Sequence, residues 1–112
     1  MGNANILKYW ETGYVLCTSA TVPKKITILR GGESITLKSH ETSGASHKIS
    51  GDNTLISTQG YFLDSKETMT LTLPISFGVD NYINIYALPE NANKYVSFFK
   101  LIDLFPQTAA SD

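Results

Sequence analysis

Cysteine and formal charge are both scarce in this sequence of 112 residues. Cys17 is the single cysteine and forms no disulfide within the chain, which excludes a disulfide-rich secreted scaffold and predicts a small buried apolar side chain. Charged residues make up 17% of the sequence, and 9 basic against 10 acidic residues leave a net charge of −1. Since no run of Lys and Arg occurs, neither nucleic acid nor an anionic membrane is an expected partner.

Long apolar stretches are missing as well. No stretch approaches the length of about 18 residues that spans a membrane. The first residues, MGNANI, lack the basic start and apolar run of a secretory signal, which predicts synthesis in a cytoplasm. The length fits one domain, and we predict an N-terminal arm (1–11), one β-sandwich domain (12–105) and a flexible tail (106–112).

Residues that favour β-structure are abundant. The sequence holds 12 Thr, 11 Ser, 10 Ile and 12 aromatic residues. β-Branched and aromatic side chains suit a pleated, half-buried surface, and Thr and Ser can cover its wet face without charge. A surface with so little charge repels other proteins less, which is a hint of assembly.

Short alternating apolar runs, separated by turn residues, recur along the chain. The clearest has Met69, Leu71 and Leu73 on one face and threonines on the other. The predicted strands are 12–17, 24–30, 33–38, 47–50, 54–57, 59–63, 68–73, 82–87 and 95–103. Gly31-Gly32 predicts a hairpin between the second and third. Eight or nine short strands without a helical period predict an all-β fold, an antiparallel β-sandwich with jelly-roll-like topology.

Side chains that could support catalysis or metal binding form no known motif. His40, Glu41 and His47 flank a loop, but their spacing fits no zinc signature. Cys17 lies in a strand pattern without a polar neighbourhood, and no Gly-x-Ser-x-Gly turn occurs. The carboxylates that could form a glycosidase pair all sit in or beside turns: Asp64, Glu67, Asp80 and Glu90. We therefore predict a non-enzymatic protein without cofactor or metal.

Aromatic residues are the remaining functional material. Because adjacent strand residues point to opposite faces, Phe98 and Phe99 cannot both enter one core. One of them should meet another sheet layer, a terminal arm or another chain. Aromatic anchors are enriched at the centres of protein interfaces. The predicted interface residues are Ile6, Leu7, Tyr9, Trp10, Phe98, Phe99 and Phe105.

Three segments carry a resemblance to a known class of proteins. Residues 60–71 (GYFLDSKETMTL), 84–87 (NIYA) and 95–99 (YVSFF) resemble small β-sandwich structural proteins of tailed-phage virions, over about residues 22–103. The resemblance implies a capsid decoration or cement protein, located in the virion and assembled as a trimer with capsid or other virion proteins as partners. Two alternatives remain open: a tail or head-fibre attachment module, and a carbohydrate-binding β-sandwich that uses Tyr82, Tyr86 or Trp10.

Overall fold

The computed structural model describes the backbone of residues 8–103 and the side chains of residues 10–101. Eight strands follow one another along this part of the chain: β1 (Lys8–Cys17), β2 (Lys24–Arg30), β3 (Ser34–Ser39), β4 (His47–Ser50), β5 (Tyr61–Leu63), β6 (Thr68–Thr72), β7 (Tyr82–Pro89) and β8 (Lys94–Asp103). A one-turn helix, α1 (Ile56–Gln59), lies between β4 and β5, and a 3-10 turn (Ile75–Phe77) lies between β6 and β7. Within the described residues, no helix has the length and apolarity of a membrane span.

The strands form two antiparallel four-stranded sheets. The first sheet has the order β1-β8-β3-β6 and the second has the order β2-β7-β4-β5. The chain crosses from one sheet to the other at almost every connection, which is the winding of a jelly roll. The predicted all-β, jelly-roll-like sandwich of eight or nine strands is thus confirmed.

The core lies between the two sheets and is built by strand alternation. Leu37, Val96 and Phe98 enter it from the first sheet, and Leu29 and Ile85 enter it from the second. Cys17 is fully buried beside them, as predicted. Burial raises the pKa of its thiol to about 11, so at neutral pH this cysteine behaves as an apolar side chain.

The predicted hairpin at Gly31-Gly32 is wrong. β2 pairs with β7 in the second sheet, whereas β3 pairs with β8 and β6 in the first. The two glycines carry the chain between sheets: the N–H of Gly31 donates to the carbonyl oxygen of Gly78 at 3.2 Å, and that of Gly32 donates to Leu73 at 2.9 Å. Alternation identified both strands but could not assign their partners, since pairing depends on residues distant in sequence.

The predicted strand at 54–57 is also wrong, because this segment bends into α1. The carboxylate of Asp52 accepts hydrogen bonds from the backbone N–H of Thr54 at 2.8 Å and from its hydroxyl at 2.7 Å. Such an Asx turn competes with strand pairing. Ile56 is then buried outside the main core, where α1 contacts β4 and β7.

The first strand is longer than predicted. β1 begins at Lys8, so the last four residues of the predicted arm, 8–11, pair with residues 100–103 of β8. The rest of the predicted arm and the predicted tail lie outside the described residues. β1 is an edge strand, and no strand of the described chain pairs with its second edge.

Candidate functional site

The outward surface of the first sheet, here called the outer face, combines exposed aromatic rings with very little charge. Val96, Phe98 and Lys100 point inward, so their neighbours on β8 point outward. By register, the part of the outer face within residues 10–101 consists of Trp10, Thr12, Tyr14 and Leu16 on β1, Tyr95, Ser97, Phe99 and Leu101 on β8, Ser34, Thr36 and Lys38 on β3, and Thr68, Thr70 and Thr72 on β6. Two positions beyond Trp10 and Leu101, the register pairs Lys8 with Asp103 at the end of the two strands. Among the positions within residues 10–101, only Lys38 carries a charge. Burying this part of the face would therefore cost little through desolvation of charged groups.

Trp10 and Phe99 form an exposed aromatic pair at one end of this face. Their ring centroids are 5.9 Å apart with an interplanar angle of 42°. Trp10 is 67% exposed and Phe99 is 42% exposed, although both are large apolar side chains. This aromatic pair is an apolar feature that the core leaves exposed to water.

A second aromatic group lies further along the same two strands. Tyr14 and Tyr95 stack with centroids 4.3 Å apart and planes within 6° of parallel. The His40 ring lies 6.0 Å from Tyr14 and 6.1 Å from Tyr95. Because β1 and β8 are neighbours in the sheet, residues distant in sequence meet here.

Polar side chains surround this second group and form an open cleft. The cleft has a volume of about 220 Å³ and is lined by Tyr14, Lys38, Ser39, His40, Glu41 and Ser97. Lys38 Nζ lies 3.1 Å from Glu41 Oε2. The hydrogen bond and the charge of Lys38 lower the pKa of Glu41, so the pair is ionised at neutral pH.

The other half of the outer face carries hydroxyl groups. Thr68, Thr70 and Thr72 occupy alternate positions of β6 and so point to the same face. The hydroxyl oxygens of Thr36 and Thr70 are 3.0 Å apart. The face is thus divided into an aromatic half on β1 and β8 and a hydroxyl half on β3 and β6.

The structure separates the predicted interface residues. Trp10 and Phe99 lie together on the outer face, whereas Phe98 is only 8% exposed and packs in the core, where a second chain cannot reach it. Tyr9 lies in β1 opposite Ile102, but its side chain is outside the described part. The predicted residues Ile6, Leu7 and Phe105 also lie outside the described residues.

The rings named for carbohydrate binding are not brought together. Tyr82 and Tyr86 lie on β7 in the second sheet, and Trp10 lies on β1 in the first. Tyr82 is exposed and has the Arg30 guanidinium 5.7 Å from its ring centroid. These three rings form no common platform.

The two histidines have different surroundings. His40 borders the cleft, while His47 is fully buried with its Nδ1 3.1 Å from the Ser39 hydroxyl. Burial lowers the pKa of His47, which favours a neutral ring. Among the side chains of residues 10–101, no three His, Cys, Asp or Glu residues cluster as metal ligands would.

A buried ion pair between the sheets was missed by the sequence analysis. Lys100 is 5% exposed; its Nζ donates to the Ile28 carbonyl at 3.0 Å and lies 3.9 Å from the carboxylate of Glu33, which is itself buried. Lys100 alternates in β8 with the same period as the inward-pointing Val96 and Phe98. This alternation could have predicted that Lys100 points into the core.

Comparison with known proteins yields a likeness in fold alone. No protein-family model matches the sequence, and no curated protein matches it significantly. The solution NMR structure of a de novo designed double-stranded β-helix is similar, with a TM-score of 0.53 over 84% of this chain and 99% of the designed chain. The sequence identity is 6%, so the likeness supports the jelly-roll assignment and carries no information on function.

Proposed function

We propose that this chain is a non-enzymatic structural protein of a virion, a capsid decoration or cement subunit that attaches through its outer face. The observation that carries the proposal is the exposed Trp10–Phe99 pair on a sheet face with almost no charge. Interface centres are depleted in charged residues and enriched in aromatic ones, which is the composition of this face. The resemblance of residues 60–71, 84–87 and 95–99 to small phage structural proteins supports the same role.

The aromatic pair exposes apolar surface that a partner could bury on binding. At their observed exposures, Trp10 and Phe99 leave roughly 200 Å² of side-chain surface uncovered, which corresponds to about 5 kcal/mol of gross hydrophobic free energy when buried. Association costs several kcal/mol, so one such contact is weak. Many subunits on one shell make the attachment strong through multivalency, without any reaction.

The edge strand β1 extends the same surface. Its second edge lies beside Trp10, so a strand of a neighbouring chain that pairs with this edge would place its own outward side chains next to this ring. The proposed oligomer is the trimer that the resemblance implies. A tail or head-fibre module could use the same surface, and the two roles differ in which part of the virion contains the protein.

Two measurements test this proposal. Mass spectrometry of purified virions should find the protein in the particles, and analytical ultracentrifugation of the isolated protein should show trimers. The Trp10→Ala variant should weaken association, whereas Thr70→Ala, on the hydroxyl half of the same face, is the matched control and should not. A protein that is absent from virions and monomeric up to its solubility limit would overturn the proposal.

A further inference from the structure

We infer that the cleft beside Tyr14 is a binding site for a neutral pyranose sugar, separate from the aromatic pair. The cleft places one exposed aromatic ring beside several hydrogen-bonding side chains, so it can contact both the apolar face and the hydroxyl groups of a sugar. Tyr14, Lys38 and Ser97 belong to the outer face but not to the Trp10–Phe99 pair, so the sugar site does not depend on the observation that carries the proposed structural role.

The aromatic part of the cleft suits the apolar face of a sugar ring. Tyr95 stacks on Tyr14 and restrains its orientation, yet Tyr14 remains 57% exposed. The C–H bonds on one face of a pyranose carry partial positive charge, and the face of an aromatic ring is negative. A sugar ring therefore gains both apolar burial and electrostatic attraction by packing on Tyr14.

The polar part of the cleft suits hydroxyl groups, which both donate and accept hydrogen bonds. Lys38 supplies N–H donors and Glu41 supplies carboxylate acceptors, held side by side at 3.1 Å. Ser97 lies directly opposite both Tyr14 and Lys38 in the sheet and adds a hydroxyl between the ring and the ion pair. Two neighbouring hydroxyls of one sugar can thus be bound at once.

His40 adds a second ring to the cleft, with its Nδ1 turned toward Thr42. The backbone N–H of Thr42 donates to Nδ1 at 3.2 Å, and the Thr42 hydroxyl oxygen lies 2.5 Å from the same nitrogen. In the neutral tautomer that accepts from this N–H, the proton is on Nε2. Nε2–H is then a hydrogen-bond donor on a side chain that lines the cleft.

Charge and size favour a neutral sugar over an anion or a longer ligand. Lys38 and Glu41 neutralise each other, and no further cationic Lys or Arg lines the cleft, so a phosphate or sulfate gains little. A volume of about 220 Å³ has room for one sugar ring. Because the cleft is open and shallow, we expect dissociation constants on the order of 1 mM, typical of a binding free energy near −4 kcal/mol.

The experiment is a titration of the isotope-labelled protein followed by amide chemical shifts. The ligands are the methyl pyranosides of glucose, galactose, mannose and N-acetylglucosamine, each tested separately, with inorganic phosphate as the anionic comparison. The inference expects saturable shifts at Tyr14, His40 and Ser97 with at least one sugar and none with phosphate. Saturable shifts with phosphate alone, or with no ligand, would overturn it.

Variants make the assignment specific. Tyr14→Ala should weaken the best sugar at least tenfold, while Tyr14→Phe should retain most of the affinity because the ring is kept. Thr70→Ala is the matched control: Thr70 lies on the same outer face but does not line the cleft, so its replacement should leave sugar affinity unchanged. If Tyr14→Ala binds as well as the unchanged protein, the cleft is not the site. If the unchanged protein binds the sugar at this cleft but is monomeric and absent from virions, the proposed structural role alone is refuted.

Discussion

The buried ion pair of Lys100 gives a sharp test of how the two sheets are held together. Lys100→Met keeps a long side chain but removes the charge, which leaves the Glu33 carboxylate buried with its nearest cation gone and the Ile28 carbonyl without this donor. Removing one partner of a buried pair costs about 3–5 kcal/mol. Glu11 is half exposed and lies 3.6 Å from Lys100, so water can replace that contact.

Urea unfolding followed by circular dichroism measures this cost. We expect Lys100→Met to lower the free energy of unfolding by about 3–5 kcal/mol, a large part of the 5–15 kcal/mol typical of a domain. Glu33 Oε1 also accepts a hydrogen bond from the backbone N–H of Arg30 at 2.9 Å. The double variant Lys100→Met/Glu33→Gln removes both charges and keeps an oxygen for this N–H, so it should be more stable than Lys100→Met alone. A double variant as unstable as the sum of its two single variants would refute this reasoning.

Two further perturbations test the core. His47 has a folded-state pKa below its unfolded value near 6.5, so as the pH falls the unfolded chain binds the proton first. The free energy of unfolding should therefore fall as pH decreases below about 6.5. Urea midpoints measured from pH 8 to pH 5 should show this decrease, and His47→Gln should reduce it. A β-carbon at Gly13 would overlap the Phe98 ring, so Gly13→Ala should cost about 1–3 kcal/mol in thermal unfolding, against less than about 0.5 kcal/mol for the exposed control Thr12→Ala; equal costs would contradict the packing described here.

Local patterns in the sequence predict the strands well, because alternation reports directly on burial. The threonines at 68, 70 and 72 lie outward while Met69 and Leu71 pack toward the core, as the alternation predicts. Phe98 and Phe99 likewise separate to opposite faces. The helix at Ile56 escaped prediction because side-chain hydrogen bonding at Asp52 overrides the β-propensity of this segment.

Long-range pairing explains what the sequence could not predict. The cleft needs Tyr14, Lys38 and Ser97 side by side, and only the β1–β8 and β3–β8 registers bring them together. The same registers, not the composition, place Trp10 beside Phe99. A functional site assembled from several strands therefore becomes visible only after the sheet order is known.

The row of the outer face that contains Phe99 indicates that this ring is not needed for folding. Phe99 is paired with Thr12 on one side and Thr36 on the other, and Thr36 is paired with Thr70. The other three positions of this row are therefore all threonine. Threonine is also favourable at strand position 99, because it is β-branched and its hydroxyl can hydrogen-bond to water on the outer face. We therefore expect Phe99→Thr to change the free energy of unfolding by less than about 1 kcal/mol while weakening self-association in ultracentrifugation. If Phe99→Thr instead unfolds the domain and leaves association of the remaining folded protein unchanged, the ring serves its own sheet rather than a second chain.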